Sequence, residues 1–164
     1  LTTSGGRYST TDDPAIVDNA TGGKARATKY LAGDGYVQMY FDLAAPPGAV
    51  VELSESSTQH NYTAIKAGME WHRSDNTLRY LDSGAGFVDT GIEFDTTGQL
   101  ARIIRTGTVV KLQSSVNAGV DWTDRHTFAY TGTAPLYIWL HNYREGGAYS
   151  ETDTQIKGYN VTTF

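Results

Sequence analysis

Leu100-Ala101-Arg102-Ile103-Ile104-Arg105-Thr106-Gly107-Thr108-Val109-Val110-Lys111-Leu112-Gln113-Ser114 is the stretch on which the fold turns. Leu100 to Arg105 and Val109 to Ser114 each carry strand-favouring side chains, and neither shows a helical stripe. Thr106-Gly107-Thr108 between them has the length and the glycine of a hairpin turn. Two antiparallel strands are therefore predicted here.

The same grammar continues outward. Towards the C-terminus, Trp122 to Tyr130 and Leu136 to Tyr143 are split by Gly132 to Pro135, and Gln155 to Thr163 reads as the last strand. Towards the N-terminus lies a short strand at Gly91 to Phe94, behind a turn at Asp82 to Gly86. Ile65 to Arg73 and Leu78 to Leu81 form a second hairpin around Ser74-Asp75-Asn76. Val50 to Ser54 precedes a polar loop, Ser56 to Tyr62. Tyr36 to Leu43 ends at the turn Ala45-Pro46-Pro47-Gly48. About ten short strands with no internal repeat predict an all-β, two-sheet antiparallel sandwich. Val116 to Asp124 has room for one turn of helix. Residues 1–30 are polar and rich in Gly and Thr, so they are expected to be an arm or linker with at most an edge strand. The sandwich domain is expected to occupy 31–164.

Composition narrows the class. The chain has 164 residues, 39% hydrophobic and 19% charged, enough apolar content for one real core. No apolar run is long enough to span a membrane. The formal charge of −5, with scattered Lys and Arg, provides no footprint for nucleic acid. There is no cysteine. Together with the Thr, Gly, Ser and Tyr content, that favours a bacterial or viral protein outside the cytoplasm over a disulfide-bonded eukaryotic one. Leu1 is not followed by a charged and then an apolar stretch, so no secretory leader is expected within the sequence, and the chain is expected to be processed or part of a longer polypeptide.

Four further pieces carry a resemblance. They are Gly33-Asp34-Gly35-Tyr36-Val37, the pair Ala67-Gly68-Met69-Glu70-Trp71 and Leu78-Arg79-Tyr80, the hairpin Leu100 to Val109, and Ser115-Val116-Asn117-Ala118-Gly119-Val120-Asp121-Trp122. In order and spacing they resemble the concanavalin A-like jelly roll, the lectin/glucanase or laminin-G-like sandwich, over roughly residues 30–163. The resemblance implies a curved two-sheet sandwich. Its members include lectins, glycan hydrolases and lyases, adhesin modules and domains of phage tail fibres, so the fold does not choose the function.

Catalytic chemistry is weakly signalled. Hydrolases of this fold align carboxylates along one strand in an E-x-D-x-x-E pattern, which is absent here. The nearest approach is Glu70 and His72, which share a strand face. His60, His72, His126 and His141 fall in four different elements and make no close ligand pair. No cofactor is expected. Calcium is the one metal left open, with Asp12-Asp13, Asp18-Asn19 and Glu151-Thr152-Asp153 as donors. Asn19, Asn61 and Asn160 each begin a glycosylation triplet, which matters only for a eukaryotic source or its virus.

Aromatic side chains give the stronger signal. Leu136, Ile138 and Leu140 alternate with Tyr137, Trp139 and His141, so one face is apolar and the other carries rings. Tyr36, Gln38 and Tyr40 repeat the arrangement on another strand. Asn142, Tyr143 and Arg144 open a polar loop of contact-type composition. These eight residues, Tyr36, Tyr40, Tyr137, Trp139, His141, Asn142, Tyr143 and Arg144, are the expected ligand site, for rings suit the apolar faces of sugars. Val37, Met39, Phe41, Ile103, Leu112, Leu136, Ile138 and Leu140 are expected to face the core. The expected function is a non-catalytic glycan- or receptor-binding module of a secreted, cell-surface or phage fibre protein. A structural virion or appendage domain assembling with its own copies, and a glycan-cleaving enzyme, are the alternatives.

Overall fold

The computed structural model describes residues 16–18, 24–41, 49–58, 62–72, 75–83, 86–93, 99–142 and 156–163. Its strands are β1 (Ile16–Asp18), β2 (Lys24–Leu31), β3 (Gly35–Phe41), β4 (Ala49–Ser54), β5 (Ile65–His72) and β6 (Thr77–Asp82). They continue as β7 (Val88–Glu93), β8 (Leu100–Thr106), β9 (Val109–Ser115), β10 (Thr123–Thr127), β11 (Leu136–Asn142) and β12 (Ile156–Thr163). A seven-stranded sheet runs β1-β2-β11-β4-β5-β6-β7, and a five-stranded sheet runs β10-β9-β8-β3-β12. All neighbours are antiparallel. Among the described residues, no helix is long and apolar enough to cross a membrane.

The deciding hairpin forms as the sequence predicts, with β8 and β9 in register from Leu100↔Ser115 to Thr106↔Val109. Gly107 sits at φ 61°, a backbone state that a β-carbon disfavours. The Val116 to Asp124 segment is not a helix. Its one turn-type backbone bond runs from the Val120 amide to the Asn117 carbonyl, at 3.2 Å. Side chains organise the rest. Asn117 Oδ1 accepts the Asp121 amide at 2.9 Å, Ser115 Oγ accepts the Gly119 amide at 2.9 Å, and the Trp122 indole donates to the Gly119 carbonyl at 3.0 Å. Local Ser and Asn acceptors outcompete helical carbonyls here.

Period-two alternation puts the core between the sheets. Leu136, Ile138 and Leu140 of β11 meet Val37 and Met39 of β3, Ile103 of β8 and Leu112 of β9 in one buried cluster. These are seven of the eight predicted core residues; the Phe41 side chain lies outside the described residues. Trp71 and Met69 of β5 and Val51 and Leu53 of β4 join the same cluster.

A buried arginine completes the space between the sheets. Arg105 is 2% exposed. Its guanidinium donates to three carbonyls, those of Gly107 at 3.2 Å, Ala134 at 2.8 Å and Gly132 at 3.2 Å. It thereby ties the β10–β11 connection to the hairpin. Gly132 is required there, because an added β-carbon would lie 2.6 Å from the Tyr130 ring.

The N-terminal division shifts. β2 lies inside the seven-stranded sheet, bonded to β11, with Ala27 and Leu31 in the core cluster. A boundary between residues 30 and 31 would cut this strand. Residues 24–31 therefore belong to the sandwich; residues 1–15 and 19–23 lie outside the described residues.

Candidate functional site

The expected ligand residues do not converge. Tyr137, Trp139 and His141 belong to β11 of the seven-stranded sheet, whereas Tyr36 and Tyr40 belong to β3 of the five-stranded sheet. Both strands turn their apolar residues into the shared core. Their alternate residues therefore lie on opposite outer faces of the sandwich, and the single site drawn from these residues is corrected to two separate faces. His141 and Asn142 hold backbone positions in β11 opposite Val50 and Ala49. Their side chains, that of Tyr40, and all of Tyr143 and Arg144 lie outside the described residues. So do the calcium donors Asp12, Asp13, Asn19, Glu151, Thr152 and Asp153.

Trp139 needs a second correction. It is 1% exposed, and its indole nitrogen donates to the Ser56 carbonyl at 3.0 Å. A ring with no accessible face cannot stack on a sugar. Alternation gives the direction of a side chain but not what lies over it. On a strand flanked on both sides, the largest ring is the one most easily enclosed.

Among the described residues, the rings that reach solvent on this face are the half-buried Tyr137 and the exposed Tyr30, a residue expected to lie in the arm. They stand opposite each other in the β2–β11 register, with ring centroids 5.3 Å apart and a tilt of 35°. Tyr30 is 43% exposed. A bulge sets the arrangement: Trp139 pairs with Arg26 and Tyr137 with Tyr30, so Ala27 to Lys29 face Ile138 alone. The Arg26 guanidinium lies 5.5 Å from the centre of the Tyr137 ring. Tyr30, Tyr137 and Arg26 thus form a continuous row. The signal for β2 existed in the alternation of Ala25, Ala27 and Leu31 with Arg26, Thr28 and Tyr30. Alanine carries too little apolar surface to make that alternation stand out.

Deeper on the same face, the strands bring together carboxylates that one-strand motifs cannot reveal. Glu52 of β4 pairs with Gly68 of β5, and Glu70 lies two residues further along β5, a diagonal neighbour. Both glutamates are buried, as is His72. The stem of Glu52 crosses Gly68, where an added β-carbon would lie 3.4 Å from Glu52 Cγ and 3.1 Å from Leu81 Cβ. His72 Nδ1 lies 2.8 Å from Asp75 Oδ1. Asp75 also accepts the Thr77 hydroxyl at 2.8 Å and the Arg79 guanidinium. Desolvation raises the Asp75 pKa, but the bonds from His72, Thr77 and Arg79 outweigh it and hold the carboxyl well below the usual range.

The outer face of the five-stranded sheet is built differently. Gln38, Arg102, Gln113 and Asp124 stand side by side on β3, β8, β9 and β10. Arg102 Nε donates to Gln113 Oε1 at 2.7 Å, and Gln113 Nε2 donates to Asp124 Oδ1 at 2.7 Å. The other Asp124 oxygen accepts Lys111 at 2.6 Å. The Arg102 guanidinium also packs on Trp122 at 3.9 Å and Tyr36 at 5.2 Å. The bond from Lys111, followed by that from Gln113, lowers the Asp124 pKa. This row braces the Ser115–Trp122 loop against the sheet.

At the edge of the sandwich, His126 Nε2 lies 2.9 Å from Asp82 Oδ2 and its ring stacks on Tyr80 at 3.8 Å, linking β10 to β6. Among the described residues, no group of three or more His, Asp or Glu is placed to hold a metal ion.

No family model and no curated protein matches the chain. Solved structures do. A legume lectin-like domain from Entamoeba histolytica superposes with a TM-score of 0.56 at 12% identity, covering 91% of this chain and 82% of that one. The PSpry domain of TRIM65 superposes with a TM-score of 0.50 at 9% identity; the match covers 73% of this chain but only 65% of that domain. The exoplasmic/lumenal domain of VIP36, in a Ca2+/Man3GlcNAc-bound form, gives 0.46 at 8% identity over 85% of this chain and 69% of that one. The fold is the concanavalin A-like jelly roll.

Proposed function

We propose that the chain is a non-catalytic glycan-binding module that seats a sugar ring on the Tyr30–Tyr137 platform. The observation that carries this reading is the pair of neighbouring tyrosines on the outer face of the seven-stranded sheet, Tyr30 exposed and Tyr137 half-buried, with ring centroids 5.3 Å apart. Flat rings offer apolar contact to the C–H face of a sugar, while their hydroxyls stay at the water boundary. The likeness to a legume lectin-like domain supports the reading. Binding occurs without cleavage, since Glu52 and Glu70 are enclosed beneath the face on which the sugar rests. It needs no metal. The natural setting is the surface of a cell or virion, where the module presents this face to a glycan receptor, as part of a larger and often multimeric protein.

A glycan array followed by titration calorimetry tests the proposal. Tyr30→Ala and Tyr137→Ala abolish or strongly weaken binding, while Tyr36→Ala and excess EDTA leave it intact. Full retention of binding by both platform variants would overturn the reading.

A further inference from the structure

We infer that the sugar taken by this platform is acidic, bearing a carboxylate that Arg26 receives. The inference rests on the platform reading above. Arg26 ends the row Tyr30–Tyr137–Arg26, with its guanidinium 5.5 Å from the centre of the Tyr137 ring. Among the described residues, its side-chain hydrogen bond runs from Nη1 to the neighbouring Ala27 carbonyl and is long, at 3.4 Å. Its Nε is buried without a hydrogen-bond partner. Nη1 lies on the Cδ side of the guanidinium. The edge left over is therefore Nε with Nη2, whose two N–H bonds run parallel and match the two oxygens of a carboxylate.

A buried donor without an acceptor is uncommon in folded proteins and calls for a reason. Here the reason is a ligand group. Among the described residues, the acidic side chains nearby do not supply it. Glu52 stands beyond Trp139 in the β2-β11-β4 register, and Glu55 pairs with Lys66 at 3.3 Å. A sugar stacked on Tyr30 and Tyr137 carries its substituents towards the guanidinium. The flexible arm of Arg26 then turns its free edge from the tyrosine ring to the acid. Specificity follows, because a neutral sugar satisfies the rings but leaves that edge unmatched.

The test uses the whole chain on an array that pairs neutral and acidic glycans: lactose with sialyllactose, methyl-esterified with free polygalacturonate, and dextran with dextran sulfate. Wild-type protein is expected to prefer the carboxylated member of a pair by at least about tenfold. Arg26→Gln is expected to erase the preference while keeping the weaker neutral binding, and Tyr30→Ala to lose both. Arg26→Lys keeps charge but not the paired donors and should fall between. Melting curves identify any variant that fails to fold, in which case Arg26→Lys and the salt dependence of wild-type binding carry the test. Preference for neutral members, or an unchanged preference in Arg26→Gln, overturns the acidic-sugar inference and leaves the platform standing. Preference for sulfate over carboxylate overturns the choice of acid. Binding to no glycan at all overturns both readings.

Discussion

The two outer faces of the sandwich use the same kinds of residue to opposite ends. On the five-stranded sheet, Arg102 has a ring on either side and a hydrogen-bonded chain through Gln113 and Asp124 to Lys111. On the seven-stranded sheet, Arg26 lies against one ring, makes one long bond to its neighbour's carbonyl, and sits beside an exposed tyrosine. An arginine and two aromatic rings can therefore be a brace or a receptor. What separates the two is whether the polar groups are already satisfied inside the protein. Composition and alternation are alike on both faces, so only the pairing of strands reveals the difference.

The largest effect that bears on this contrast comes from Trp139. If it belongs to the enclosed part of its face, Trp139→Ala should cost about 3–5 kcal/mol of stability, as for other buried aromatics. Chemical denaturation followed by intrinsic fluorescence or circular dichroism measures it. A loss near zero would mean that the indole is a surface ring after all, and the seven-stranded face would then present three rings.

The next effect separates the tyrosines. Tyr30→Ala should change stability by no more than about 0.5 kcal/mol, since the side chain is exposed. It should weaken glycan binding by about 2 kcal/mol or more, roughly thirtyfold, the usual cost of removing an anchoring ring. Tyr36→Ala should leave binding unchanged. If the two variants behave alike in calorimetry, the distinction between brace and receptor fails.

The brace itself gives the third test. Arg102→Ala removes a charged hydrogen bond to Gln113 and the packing under Trp122, and should cost about 1–2 kcal/mol without altering glycan affinity. Hydrogen exchange should quicken at the Gly119 and Asp121 amides, whose acceptors sit in the loop that Arg102 supports. Unchanged exchange there would detach the loop from the arginine.

Much of the fold was legible because its strands alternate cleanly. Ile103 and Leu112, or Leu136, Ile138 and Leu140, have polar or aromatic neighbours at every second position, and a one-residue slip would turn all of them outward. β2 was hard to read because its inward Ala27 carries little apolar surface and because its bulge breaks the count of two between Arg26 and Tyr30. The site was less legible for a different reason. The outward direction of Tyr137 was legible on a strongly patterned strand, but the ring it meets, Tyr30, lies more than a hundred residues earlier. Alternation placed Trp139 on the outward face but left its exposure open, and the structure encloses it. Glu52 and Glu70 escaped notice as a pair because two strands bring them together. Pairings across strands are set by topology, and no local stretch of sequence states them.

The smallest effect concerns acid, and it reaches both faces. Asp75 is held well below its ordinary range by His72, Thr77 and Arg79, against the opposing effect of desolvation, and Asp124 is lowered by Lys111 and Gln113. A carboxyl whose folded pKa is depressed stabilises the fold fully above its unfolded value, about 3.9. That contribution fades as pH falls below about 4 towards the folded pKa, because the unfolded chain then binds protons that the folded chain refuses. Both side chains are well exposed, at 40% and 47%, so solvent and salt screen the gain and the expected change is modest. Melting temperature measured from pH 5 to pH 2 should fall less steeply in Asp75→Asn and in Asp124→Asn than in wild type. The two losses should add in the double variant, because the carboxylates share no partner and stand on opposite sheets. A double variant that departs from the sum would couple the two faces, and the division of the sandwich into a braced side and a receptive side would have to be redrawn.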